Sequence, residues 1–115
     1  MKRSIKSRQR SMRQIHLIAN AAGTALSGLD STDTNITMTD TATGIKTIEL
    51  GASGFASADY IVQVTVATAD VSVGLINIVD ANTFAITTID TATGLTDTDA
   101  ICHITVTGSD VTDRY

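Results

Sequence analysis

Proline and tryptophan are absent from this chain, cysteine and glutamate occur once each, and the aromatic residues are Phe55, Tyr60, Phe84 and Tyr115. A single cysteine, Cys102, excludes an intrachain disulfide, so no covalent staple is available. With so few rings the core has to be built from Val, Ile, Leu and Ala, whose larger members contribute about 1.5–3 kcal/mol each when fully buried. A core this thin leads us to expect that contacts with other copies or partners supply part of the stability. The lone Glu49 and the lack of a distinctive Asp pair leave no acid–base carboxylate couple, and no cofactor is implied. No apolar run approaches the ~20 residues of a membrane-spanning helix. No signal peptide is expected either, because the apolar stretch after the basic residues is short and broken by Asn20 and Gly23.

What the chain does have is a charge split. Lys2, Arg3, Lys6, Arg8, Arg10 and Arg13 are six of its eight basic residues, and no acid precedes Asp30. From Gln14 onward, two basic residues face twelve acidic ones, so a basic arm with net charge +6 precedes a body at −10. With 115 residues one domain is expected, divided into an extended basic arm with a short apolar segment (1–29) and a β body (30–115). The stretch Ile15 to Leu26 is ambiguous. Met12, Ile15, Ile18 or Ala19, and Ala22 fit helical spacing, whereas Ile15 and Leu17 fit one face of a strand.

From Asp30 the pattern is β. Candidate strands are Thr34–Asp40, Ile45–Leu50, Tyr60–Thr68, Val71–Val79, Asn82–Asp90 and Ile101–Thr107. Gly/Asp/Asn clusters separate them, and threonine is abundant. Six strands at such spacing predict an antiparallel β-sandwich or small barrel. An internal duplication runs through them. Ile36–Ile45 recurs as Ile86–Leu95, with Asp-Thr-Ala-Thr-Gly identical at 40–44 and 90–94, and Ala58–Val66 recurs as Thr98–Val106. The offsets are 50 and then 40, so the first copy carries ten extra residues around Lys46 to Phe55. Both copies agree on a buried face: Val62, Val64 and Val66 in one, Cys102, Ile104 and Val106 in the other.

Little chemistry is encoded. Cys102 and His103 are adjacent and fall on opposite faces of a strand, so they cannot converge as a nucleophile pair. Cys102 reads as a core hydrophobe and His103 as a surface residue, while His16 has no ligand partner nearby. Asp30/Asp33 and Asp97/Asp99 invite a calcium reading, but the EF-hand pattern is absent, and Asp40 and Asp90 read as turn caps. Gly51-Ala-Ser-Gly54 lacks the ending of a phosphate loop. A non-enzymatic role is expected.

The basic arm is the main functional feature. One reading is nucleic-acid binding through phosphate neutralisation, which the acidic body and the absence of a stacking platform oppose. The other is a docking arm on a neighbouring protein, in which Lys2, Arg3, Lys6, Arg8, Arg10 and Arg13 meet carboxylates or carbonyls while Ile5 and Met12 fill apolar pockets. The segments Asp40–Gly44, Ala58–Val66, Asn82–Ile86 and Ile101–Thr107 together resemble the small β-modules of tailed-phage virion proteins: capsid decoration (cement) proteins, head fibres and tail-fibre domains. The resemblance covers about two thirds of the chain and lies in cadence, not in a diagnostic motif. It implies a structural protein of the virion, with other virion proteins such as the major capsid subunit as partners, and a homo-oligomer for which a trimer is one form. A tail-fibre or glycan-binding module is the alternative within the same resemblance.

Overall fold

The computed structural model describes residues 12–67, 72–91 and 96–109. Among the described residues nine strands follow one another: β1 (Met12–Ala19), β2 (Leu26–Ser27), β3 (Thr37–Ala42), β4 (Ile45–Glu49), β5 (Ile61–Ala67), β6 (Ser72–Asp80), β7 (Thr83–Asp90), β8 (Thr96–Asp97) and β9 (Ile101–Ser109). A 3-10 turn, Gly51–Ser53, follows β4, and no α-helix occurs among the described residues. The strands form two antiparallel sheets packed as a sandwich. The first has the order β2-β1-β9-β5; the second has the order β3-β4-β7-β6, with β8 on the flank of β7. The all-β sandwich expected from period-two alternation is therefore present.

The first sheet corrects the expected boundary at residue 29. Met12–Ala19 is an inner strand of the body, paired with β9 from Met12↔Ser109 to Ala19↔Cys102 and with β2 on its other side. Ile15, Leu17 and Ala19 all point inward and are buried. The strand face wins over helical spacing because β9 offers a full ladder and an apolar face to match it. The body thus reaches back at least to Met12, and Lys2, Arg3, Ile5, Lys6, Arg8 and Arg10 lie outside the described residues.

Inward side chains from both sheets make one core. Cys102, Ile104 and Val106 of β9 are buried, as is Val62 of β5, whereas Val64 and Val66 are half-buried. Their outward neighbours Ile61, Gln63 and Thr65 are exposed, as are Ile101 and His103. The second sheet contributes Ile48, Phe84 and Ile86. Burial is weaker on β5 because it is an edge strand.

The duplication has a spatial meaning. In the first copy β3 and β4 form a hairpin with Thr39↔Thr47 and Asp40↔Lys46; fifty residues later β7 and β8 pair as Ile89↔Asp97 and Asp90↔Thr96. The two hairpins have the same register. The second echo, β5 and β9, pairs with itself: Val62↔Val106, Val64↔Ile104 and Val66↔Cys102. Equivalent residues Val64 and Ile104 face each other, so the repeated strands meet about a local two-fold axis. The ten extra residues of the first copy lengthen β4 beyond the two-residue β8 and add the 3-10 turn.

Gly44 ties the copies together. Its N–H donates to Asp99 Oδ1 at 2.7 Å and its carbonyl accepts the N–H of Thr88 at 2.8 Å. Its φ is +74°, and a Cβ there would sit 2.7 Å from the Thr98 nitrogen. Gly44→Ala should therefore cost about 2 kcal/mol or more through backbone strain and displacement of the 98–99 segment. Chemical denaturation of the variant against the parent measures this directly.

Candidate functional site

The site most distinct from ordinary sandwich packing is the root of the basic arm. Met12, 57% exposed, and Arg13 open β1. Arg13 was expected to reach a neighbouring chain, but it is engaged by its own. Its Nη2 donates to the Gly54 carbonyl at 2.9 Å, and its guanidinium lies 4.7 Å from the Phe55 ring centroid. A cation over a ring contributes about 0.5–1 kcal/mol where solvent reaches it. Both partners belong to the ten residues that the second copy lacks, so the insertion builds the seat of the arm.

That seat is held from several directions. Phe55 stacks on Tyr60 with centroids 5.2 Å apart, and Tyr60 meets Phe84 edge-on at 6.2 Å. The Tyr60 hydroxyl lies 2.9 Å from the carbonyls of both Asp80 and Thr83, and burial, with Asp80 nearby, pushes its pKa up to about 12. Gly108 is obligatory beneath the rings, because a Cβ would come within 2.7 Å of Phe55. The insertion is also sewn to the β6–β7 turn by Leu50 N–H to Asn82 O and Phe55 N–H to Ala81 O, at 2.7 and 2.9 Å. On its outer side Ser53 Oγ donates to Asp33 Oδ2 at 2.5 Å, and the Asn35 N–H donates to Asp33 Oδ1 at 2.9 Å. These bonds, the Ser53 one foremost, hold the Asp33 carboxyl below the usual aspartate range, with Arg13 adding a weaker pull.

A second polar feature lies inside the sandwich. Lys46 is 1% exposed, points inward from β4, and donates from Nζ to the Ala100 carbonyl at 3.0 Å. The Cys102 thiol turns to the same carbonyl at 3.6 Å. Burial raises the Cys102 pKa, and the Lys46 charge works against that rise. Thr88 and Asp90 are buried on the inner face of β7 nearby in the same sheet, while Asp40, the repeat counterpart of Asp90, is exposed. No inward lysine was expected: a Lys among Ile45, Thr47 and Ile48 reads as a solvent-facing residue. The one available signal was its parity with Ile48 and Leu50.

The remaining candidates separate. Asp30 Oδ2 accepts the His16 N–H at 2.7 Å, Asp33 serves Ser53 and Asn35, and Asp99 serves Gly44. Among the described residues no group of three or more His, Cys, Asp or Glu side chains converges. The chain's two histidines do line one open groove of about 280 Å³, with Ile18, Gly28, Leu29 and Thr105 beside them. They sit on adjacent strands, since His16 pairs with Thr105 and Ile18 with His103. The Cys102 side chain is on the opposite, buried face.

Compared with known proteins, the chain matches no family model, and no curated protein and no solved structure resembles it significantly. Among the described residues no helix is long and apolar enough to cross a membrane.

Two outcomes follow from this geometry. Lys46→Met keeps the volume and removes a buried charge, so its stability should lie within about 1 kcal/mol of the parent or above it, whereas Lys46→Ala should lose about 2–4 kcal/mol; urea unfolding of both variants compares them. For Asp33 the folded pKa is depressed, so its small contribution to stability is present above the unfolded aspartate value near ~3.9 and fades as pH falls through the folded one. An NMR titration should place the Asp33 midpoint below the ordinary range, and Ser53→Ala should raise it more than Arg13→Ala does.

Proposed function

We propose that this chain is a non-enzymatic structural protein of a virus particle, a capsid decoration protein fastened by its N-terminal arm to neighbouring shell subunits. The observation that carries the proposal is where the arm joins the body. The basic residues lead directly into β1, an inner strand paired with β9 along all eight of its residues. The eight-residue ladder to β9, backed by β2 at Ile18 and Ala19, anchors the arm's junction to the centre of the sheet. Arg13 reinforces the junction through Gly54 and Phe55. Such a root suits a tether.

Charge supports the same reading. The five cations ahead of Met12 oppose a strongly acidic body, which favours an acidic or carbonyl-rich protein surface as the arm's target over a polyphosphate that the body would repel. The resemblance to phage decoration modules points to the shell as that surface and to the virion as the location.

Because Met12 already pairs with Ser109 in β1, a deletion that spares the described ladder stops at residue 11. A variant lacking residues 2–11 should fold with the parent's unfolding midpoint and fail to join particles, and attachment of the full chain should weaken as salt rises from 50 to 500 mM. Quantitative mass spectrometry of purified particles should count the chain in the hundreds. A handful of copies would favour a fibre module. Full occupancy by the truncated chain would remove the arm from the reading, and its absence from particles would overturn the reading altogether.

A further inference from the structure

The four lateral edges of the sandwich are not alike. On one side β2 is only two residues long, and β3 carries Asp40 and a register irregularity between Asp40 and Ala42. Short strands, charges and irregular pairing are the ordinary means by which an edge avoids joining another. The other side has fewer of them: β5 is uncharged and regularly paired over seven residues, and β6 runs regularly from Ser72 to Ile78, with an irregularity and Asp80 only at its end. There β5 and β6 lie one over the other, with the Cβ position of Gly74 3.2 Å from a Val64 methyl. Over seven and nine residues they contain no charge before Asp80. β6 also leaves Val73, Leu75, Ile76 and Val79 exposed, although Ile76, at 39%, points toward the core side.

We propose that this edge is an interface with a second copy of the chain, β6 pairing antiparallel with the second copy's β6 about a two-fold axis at Ile76. The strand is self-complementary in that register. Leu75 falls opposite Asn77 and Gly74 opposite Ile78, and beyond them the irregularity between Ile78 and Asp80 sets Val79 and Asp80 against the uncharged Ser72–Val73 end of the second copy, so no like charges oppose each other. Inward residues stay with inward residues, and the half-buried Val64, Val66 and Ile78 are covered as Ile76 meets its own copy. A second copy is favoured over an oppositely charged partner because β6 is uncharged over Ser72–Val79 in a body that otherwise repels itself. The chain already makes one contact of this kind internally, where β5 and β9 pair about Val64 and Ile104. A strip of nine residues at ~3.3 Å each, about 20 Å across two sheets, covers about 600 Å² per partner, at the lower bound for a stable dimer. Main-chain hydrogen bonds along the strand supplement it.

This inference stands apart from the particle reading, since it concerns the purified chain alone. Sedimentation equilibrium of the full chain should give twice the 12.0 kDa monomer mass at high concentration and the monomer mass on dilution. Leu75→Lys places two ammonium groups diagonally across the axis at an outward position and should raise the dissociation constant at least tenfold with an unchanged circular dichroism spectrum. Hydrogen exchange needs no variant: amides of Ser72–Asp80 should gain protection as the parent is concentrated. A monomer at all concentrations, a trimer, or a dimer indifferent to Leu75→Lys and without added protection in β6 would each overturn the proposal.

Discussion

The sandwich depends on the position of β9. It pairs with β1 on one side and with β5 on the other, and its inner face of Cys102, Ile104 and Val106 is essentially inaccessible to solvent. Remove it and the strand that carries the arm keeps only its two-residue pairing with β2, while β5 loses its only described partner in the sheet. The rule of alternation then assigns everything else. Once β9 turns Cys102 inward, His103 must turn outward, and the facing residues of β1 and β5 follow the same phase. The chain keeps that phase intact even where a valine of the first copy becomes a cysteine in the second.

Six of the strands after residue 30, all but the two-residue β8, which was too short to show, were legible because apolar alternation marks them and residues that favour turns bound them. Their observed limits differ from the expected ones by a few residues at most. β1 was not legible. Ile15, Leu17 and Ala19 mark a strand face, but the preceding run of cations and the fit of Met12, Ile15, Ala19 and Ala22 to a helix obscure it. What decides between the two is β9, about ninety residues away, and no local window holds that information. The arm's root was hidden for the same reason. Arg13 looks like one more cation of a basic run until the fold brings Gly54 and Phe55 beside it.

The ten residues that break the symmetry of the duplication explain why the copies diverged in role. Without them the first hairpin would be as short as β7–β8. With them the chain gains Leu50 and Phe55 for the core, a carbonyl and a ring for Arg13, and a 3-10 turn anchored through Ser53 to Asp33. Lys46, the register counterpart of Thr96, stands just ahead of the same insertion and hydrogen-bonds to Ala100, just ahead of β9. A single insertion thus links the arm's junction, the aromatic cluster and the start of the strand at the centre of the first sheet.

The pairing of β1 with β9 also governs the order of events during synthesis. Contacts such as Gln14 with Thr107 span 93 residues and His16 with Thr105 spans 89, so closing this sheet requires one of the longest loops the described fold contains, and long-range pairing of this sort slows folding. While a ribosome is still making β9, β1 and β5 have been released with no partner strand between them, their apolar faces open and their edges unpaired. The second sheet, assembled from β3, β4, β7 and β6, is available sooner and can serve as the surface on which they wait. Strands held open in this way are prone to pair with those of another nascent chain, so rapid capture of β9 is a requirement that this topology places on the cell as much as on the sequence.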